Sequence, residues 1–326
     1  MYDIITIGSA TRDVFLVTDQ YRVVSSNDFS SGQGICLGLG SKLNVDKLIF
    51  SCGGGGANAA VTFARQGFKT ASIGVVGNDL NGIELIHALE KEGIDTSHFQ
   101  QHSHDFTGYS SILVGPKGER TILSYKGEGH HFNANSVPLE ELQTKWLYLD
   151  SLGGNFELLE RAVTWAVKNG VQLATNPGVR ELQHGREKLA PLLRSFKIVA
   201  MNQEEASLLT GIEFNKEEEL FKALNDLVDG IVIMTQGERG VMVSDGEKTY
   251  RAGIPKEAPQ VERTGAGDAF NSAFVAQYAR TPDDIQKCIQ LGIANATSVV
   301  SQYGAMSGIL KKDDHGMWPP VEILVV

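Results

Sequence analysis

Residues 261–274 read VERTGAGDAFNSAF, placing Thr264, Gly265, Ala266, Gly267 and Asp268 directly ahead of an apolar helical segment. The first turn of a helix leaves backbone N–H groups unpaired and carries partial positive charge, so a glycine-rich turn there forms a pocket for an anion. A carboxylate beside that pocket weakens anion binding unless it has separate work, and proton abstraction is the work that fits. With a substrate hydroxyl near Asp268 and a phosphoryl group over residues 265–267, the carboxylate accepts the proton while the amides stabilise charge on the group in transfer. That is kinase chemistry. Taken alone, the same residues also read as a capped helix with a favourable first-turn acid.

The elements that must hold this turn are legible as alternating strands and helices. Short runs that are apolar throughout recur at DIITIG (3–8), WLYLD (146–150), VQLATN (171–176), KIVAMN (197–202) and GIVIMTQG (230–237), as expected of strands covered on both faces of a parallel sheet. Between them, Ala57, Ala60, Val61 and Ala64 repeat at helical spacing. Residues 81–92 stop at Gly93 and residues 155–169 at Gly170, while Ile285, Ile289, Ala296, Val300 and Tyr303 mark one face of a late helix. The expectation is βαβ architecture with right-handed crossovers. Two regions stand apart from it. Residues 11–50 mix strand-like pieces with SSNDFSSGQG and GLGSK, and residues 105–125 read as a hairpin turning over 115–118, so both are assigned to a small β appendage. The tail HGMWPPVEILVV has no evident place.

Bulk properties narrow the partners. A chain of 326 residues with 42% hydrophobic and 21% charged residues is globular, and its 36 glycines exceed the usual ~7%, pointing to tight turns and backbone close to ligand. A net charge of −10 argues against nucleic acid or an anionic membrane as the main partner. Cys36, Cys52 and Cys288 are too few and too scattered for a disulfide framework or a metal cluster, which fits a reducing compartment. Asp3 stands where a signal peptide carries cations, and no apolar run approaches the ~18 residues of a membrane span, so a cytoplasmic location is expected. For the histidines of GHH (129–131), with His102 and His104, no carboxylate or cysteine completes a ligand set at close spacing, and they read as ordinary polar residues.

The wider pattern decides between kinase and capped helix. TGAGDAF resembles the second signature of the ribokinase-like, or PfkB, family of carbohydrate kinases, and CGGGGANAA (52–60) resembles its first; MNQEE (201–205) and TQGERG (235–240) are similar to its N-x-x-E and T-x-G-x-x-G segments. Four matches in the family's order cover almost the whole chain. The resemblance implies one ribokinase-like unit over 1–326, a three-layer α/β/α sandwich with a mainly parallel central sheet and a small β-sheet lid from about 11–50 and 105–125. It implies transfer of the γ-phosphate of ATP to a sugar hydroxyl, with Asp268 as base and Gly265, Ala266 and Gly267 as anion hole. Asp13, Gly54, Gly55 and Asn58 then hold the sugar, and Asn202, Glu205, Thr235, Gly237 and Gly240 hold ATP. Glu205 organises Mg²⁺ through water, and Asn295 lies where the family packs adenine.

In relatives activated by potassium, carbonyls near the signature and near YGA (303–305) surround the ion, which makes Glu262, Thr264 and Gly304 the candidate monovalent-cation residues; Glu262 stands where many relatives have Asp. No G-x-x-x-x-G-K-[ST] loop is present, so Mg²⁺ and the helix terminus carry the phosphate charge. The resemblance also implies pairing of lids into a homodimer, although residues 19–50 form a longer insertion than many members have. A nucleoside kinase shares this framework, with Phe15, Tyr109 and Phe132 available either to stack a base or to pack as core. A non-catalytic sugar- or nucleotide-binding protein would need a damaged base, yet Asp268 is intact. A dinucleotide oxidoreductase is excluded by GSATRD (8–13) in place of G-x-G-x-x-G.

Overall fold

The computed structural model describes residues 1–326 apart from 27, 28, 30, 31, 116–119 and 283, and apart from the side chain of His130. The hairpin turn expected over 115–118 lies outside the described residues beyond Gly115, as does part of SSNDFSSGQG. Six neighbouring strands run parallel in the order Ile231–Thr235, Ile198–Asn202, Gln172–Thr175, Thr144–Leu149, Tyr2–Ile7 and Thr70–Ile73. The sheet then continues from Ile231–Thr235 through the antiparallel strands Val241–Ser244, Thr249–Ala252 and Ile323–Val325. The last of these is the tail that the sequence left unplaced.

The strands are apolar throughout because successive residues enter different cores. Ile4, Trp146, Tyr148, Ile198 and Ile233 pack on one face with Phe63, Phe270, Phe274 and Ile289. Ile5, Ile7, Leu147, Leu149, Val199 and Met234 pack on the other with Leu158, Leu209 and Leu220. Helices Gly55–Arg65, Ala266–Arg280 and Ile285–Val300 therefore cover the first face, and Phe156–Asn169, Gln203–Thr210 and Glu217–Asn225 the second. This is the three-layer sandwich with a mainly parallel sheet.

Local signals place the helix ends. The Asn155 side chain accepts from Leu158 N–H, and Gly170 closes the same helix at φ 67°. The late helix stops at Val300, one turn before expected. Tyr303 lies beyond it and packs edge-on against Phe15 of the second sheet, so it belongs to the lid contact rather than to the helix face. That second sheet has four strands in the order Arg120–Tyr125, Tyr109–Val114, Thr11–Val17 and Lys47–Gly53. Phe15, Ile112 and Val114 are buried on its inner face, whereas Leu48, Phe50, Leu123 and Tyr125 are exposed. Among the described residues no helix is long and apolar enough to cross a membrane.

The glycine run 53–56 is where lid, first strand and first helix converge. Gly54 adopts φ 92°, and a Cβ there would lie 2.5 Å from the Ser9 carbonyl; at Gly55 it would meet the Asp150 carboxylate at 2.3 Å, and at Gly56 the Gly8 backbone at 2.7 Å. Close backbone approach, more than turn formation, explains the run. Gly56→Ala therefore forces the helix away from the first strand, and denaturant unfolding is expected to show a loss of about 1–3 kcal/mol, the usual range for overpacking. A neutral result would mean that the helix rides free of that strand.

Candidate active site

Gly8, Asp150, Asn176, Asn202 and Thr235 sit at the carboxyl ends of five adjacent parallel strands, the edge at which open α/β sheets bind ligands. Helix Ala266–Arg280 begins over this edge. Its cap, Gly265, has φ 80°, and a Cβ there would strike Ala305 at 2.4 Å, so the turn needs glycine on both counts. The helical ladder starts with Ala269 N–H donating to Gly265 C=O at 2.8 Å, which leaves Gly267 and Asp268 as first-turn amides. Ala266 N–H instead turns back to Arg263 C=O at 3.3 Å, so of the three expected anion-hole residues it is the least free.

Asp268 is half-buried, and Asn58 Nδ2 donates to its Oδ2 at 2.8 Å. The structure thus joins two expected residues that are 210 positions apart. Burial lifts the Asp268 pKa above the ordinary range, against a lowering by Asn58. Beside it lies Asp150, which motif reading missed. Asp150 is 5% exposed and accepts from Ser9 Oγ at 3.2 Å; burial, then the Asp268 charge, push it well above the ordinary carboxylate value. Its signal was present in WLYLD, an apolar strand ending in a carboxylate at the sheet's ligand edge. Glu205 completes the acidic group: burial, and then the charges of Asp268 and Glu204, raise it to about 7 against the hydrogen bonds of Asn202.

Asn202 and Glu205 cap one another's helix end, with Glu205 N–H donating to Asn202 Oδ1 at 2.9 Å and Asn202 N–H to Glu205 Oε2 at 2.8 Å. The pair is therefore structural as well as a candidate for ATP. Three buried polar atoms around this point lack a protein partner among the described residues: Asn58 Oδ1, Asn271 Oδ1 and Tyr148 Oη. Asn271 follows Asp268 by one turn and donates to Asn176 Oδ1 at 3.1 Å. Asp13, on the lid strand, is 3% exposed, accepts from Thr11 Oγ1 at 3.3 Å and is raised chiefly by burial. A Cβ at Gly53 would lie 2.1 Å from its carboxylate, which accounts for the first glycine of the run.

A cavity of about 210 Å³ opens over the same helix terminus. Thr235, Gly237 and Gly240 line it together with Ala266 and Gly267, so the expected nucleotide loop and anion hole do meet. Its apolar wall includes Ile254, Phe270, Ile293, Ala296 and Val300, suited to a flat ring system. Arg263 also lines it, paired with Glu238. Asn295 does not face this wall. It is fully buried, donates to Ala269 C=O at 2.8 Å and accepts from Leu310 N–H at 2.8 Å, because a buried amide two positions along a helix from the cavity lining turns to unpaired main chain instead. Phe15 and Phe132 likewise fill cores, the first under the lid sheet and the second beside Leu139 and Leu152.

The residues expected around a monovalent cation come together but do not fit one. Gly304 abuts Ser51 of the lid, Ala305 abuts Gly265, and Val261 and Glu262 N–H both donate to Val300 C=O. The Glu262 carboxylate, however, already accepts from Thr264 N–H at 2.9 Å and Thr264 Oγ1 at 2.6 Å and pairs with Arg120 Nε at 3.1 Å. A cation at that carboxylate would have to expel the guanidinium. For Mg²⁺ the relevant carboxylate is Glu205, whose pKa the charge of Asp268 helps to raise and which would gain from a nearby divalent cation.

An acid-tuned carboxylate, helix-terminal amides and an apolar cavity at one sheet edge can hold a nucleotide and deprotonate an alcohol, the work of an α/β phosphotransferase. The pfkB family carbohydrate kinase model matches residues 3–312, and the chain belongs to that family. It is 33% identical to the ribokinase of Haemophilus influenzae over 276 residues, 83% of this chain and 88% of that one. Its fold matches Arabidopsis thaliana ribokinase complexed with ribose and ATP (TM-score 0.74, 20% identity, 95% of this chain and 96% of that chain). It also matches adenosine kinase from Sinorhizobium meliloti (TM-score 0.74, 23% identity, 93% and 95%).

The charge of Asp150 has a consequence for stability. Its folded pKa is raised above the unfolded value, so the folded state loses stability as pH rises from about 4 through the folded pKa. Asp150→Asn removes that penalty, and the melting temperature of the ligand-free protein is expected to rise at neutral pH, with the gain shrinking towards pH ~4. A fall in Tm at pH 7 would mean that the carboxylate is compensated.

Proposed function

We propose that this kinase transfers the γ-phosphate of ATP to a primary hydroxyl of a sugar, with Asp268 as general base. The observation that carries the reading is the Asn58–Asp268 hydrogen bond of 2.8 Å, which aims the base between the sheet edge and the helix-terminal amides. ATP occupies the cavity lined by Thr235, Gly237 and Gly240, its ring system against Ile293 and Ala296. Its terminal phosphate lies over Gly267. The sugar fills the cleft under the lid, where Asp13, Asn58, Asp150 and the backbone of Gly54 and Gly55 converge. Asp268 takes the hydroxyl proton as the oxygen bonds to the γ-phosphorus and the β,γ-bridging bond breaks, the electron pair leaving with ADP. The amides of Gly267 and Asp268 stabilise the charge on the moving group. Glu205 would hold Mg²⁺ through water, and the ion would there supply positive charge to offset that of the phosphates.

A sugar suits the site better than a nucleoside, because two of the three aromatic side chains available to stack a base are buried in cores. The exposed apolar residues Leu48, Phe50, Leu123 and Tyr125 on the lid's outer face support pairing of two chains through that sheet. The exposed free thiol of Cys36 suits a cytoplasmic enzyme.

Screening ADP release over pentoses, hexoses, sugar phosphates and nucleosides tests the acceptor class; turnover confined to nucleosides would reject the sugar. Asp268→Asn is expected to lower kcat by about 10²–10⁴-fold, with ATP binding measured by calorimetry nearly unchanged. The acid limb of kcat/KM should lie above the ordinary Asp range, since the proton must leave a carboxylate held high by burial. Asn58→Ala removes a hydrogen bond to the charged form and should move that limb to higher pH. A limb that stays in place would detach Asp268 from proton transfer.

A further inference from the structure

Glu262 is the second residue before the anion-hole cap, and its side chain is only 1% exposed. Both its oxygens accept from Thr264 N–H at 2.9 Å, and Oε1 also accepts from Thr264 Oγ1. The main chain on either side is fixed to the late helix, through Val261 and Glu262 N–H to Val300 C=O. The charge itself is met from elsewhere: Arg120, first residue of the lid strand Arg120–Tyr125, brings Nε to 3.1 Å of Glu262 Oε1. A buried carboxylate is strongly unfavourable without a counter-charge. Here the need is greater, because Glu262 also feels the buried Asp13, whose own pKa it raises.

We propose that Arg120 is a positioning residue that couples the lid to the anion hole. On the kinase reading above, its guanidinium also takes the place of a monovalent cation at Glu262. The chain of contacts runs from the lid strand through Arg120 and Glu262 to Thr264, and Thr264 is covalently joined to Gly265, where the helix-terminal amides begin. A seated lid therefore clamps the turn in the geometry that receives the phosphate. A raised lid withdraws the guanidinium, leaves the buried Glu262 carboxylate without its counter-charge and loosens the turn. Arginine suits this post better than a free ion, because a guanidinium keeps its charge at any working pH and brings directional donors. Potassium would compete for the lone pairs that Arg120 already holds, so turnover is independent of it.

Three proteins test this: the unmodified chain, Arg120→Gln and Arg120→Lys. Turnover of the acceptor found by the ADP-release screen is compared in potassium and in N-methylglucamine chloride of equal ionic strength. The unmodified enzyme should turn over equally in both. Arg120→Gln should lose about 10²-fold in kcat, the scale of a displaced catalytic geometry, with ATP affinity kept. Potassium or added guanidinium should restore part of that loss, and Arg120→Lys should retain most of the activity. Several-fold activation of the unmodified enzyme by potassium, or full kcat in Arg120→Gln, would overturn the proposal. Amide hydrogen exchange over 264–268 in the ligand-free proteins separates this inference from the kinase reading: Arg120→Gln should exchange faster there than the unmodified chain. Equal exchange would refute the coupling even if no acceptor were phosphorylated, whereas faster exchange without turnover would count only against the kinase reading.

Discussion

Desolvation of carboxylates gathered at one edge of the central sheet, two of which also feel the charge of the third, is the constraint around which this molecule is organised. Asp268, Asp150 and Glu205 meet at the carboxyl edge of the central sheet, and each is held above its ordinary pKa first by burial and then, for Asp150 and Glu205, by the charge of Asp268. Such a cluster opposes folding at neutral pH and survives because the two apolar cores on either side of the sheet outweigh it. The same burial leaves these carboxylates ready to take up a proton. Stability and reactivity are thus set against one another at one place, as is common where a structure holds its working groups in an unfavourable state.

The glycines are the counterpart of that acidic edge. For the carboxylates to approach backbone amides and one another, side chains must be absent between them. Gly53 clears Asp13, Gly55 clears Asp150, and Gly265 lets helix Ala266–Arg280 start against Ala305. Each lies at a contact between elements distant in sequence, unlike turn glycines such as Gly93, Gly170 and Gly211, which have open space around them.

Charge compensation divides the molecule differently. Among the described residues no lysine or arginine forms an ion pair with Asp268, Asp150 or Glu205. Glu262, one short turn away, is compensated from within by Arg120. Arg263, paired with Glu238, lines the cavity over the helix terminus. The lid is therefore joined by charge to the turn before Asp268, and its inner face is tied down by Phe15 against Tyr303.

Much of this was legible in the residues themselves. Apolar runs buried on both faces, helical periodicity and glycine stops are local signals, and they located five of the six parallel strands, most helices and the turn before Asp268, but not strands Thr70–Ile73, Val241–Ser244 and Thr249–Ala252. Resemblance to the PfkB signatures, and not spacing alone, singled out Asp13, Asn58 and Glu205, since each also reads locally as a turn or cap residue, whereas Asp268 drew attention from its place beside a glycine-rich helix start. Contacts between distant segments were not legible. Asp150 looked like the end of a strand until register set it beside Asp268, Asn295 looked like a cavity residue until Ala269 and Leu310 claimed both ends of its amide, and the tail had no meaning until it found the free edge at Thr249–Ala252. The pairing of Arg120 with Glu262 was hidden for the same reason. Local sequence sets which backbone states a segment favours, whereas a counter-charge, a hydrogen-bond partner or a sheet edge is supplied by whatever folding brings within a few ångströms, and one-dimensional order does not encode that directly.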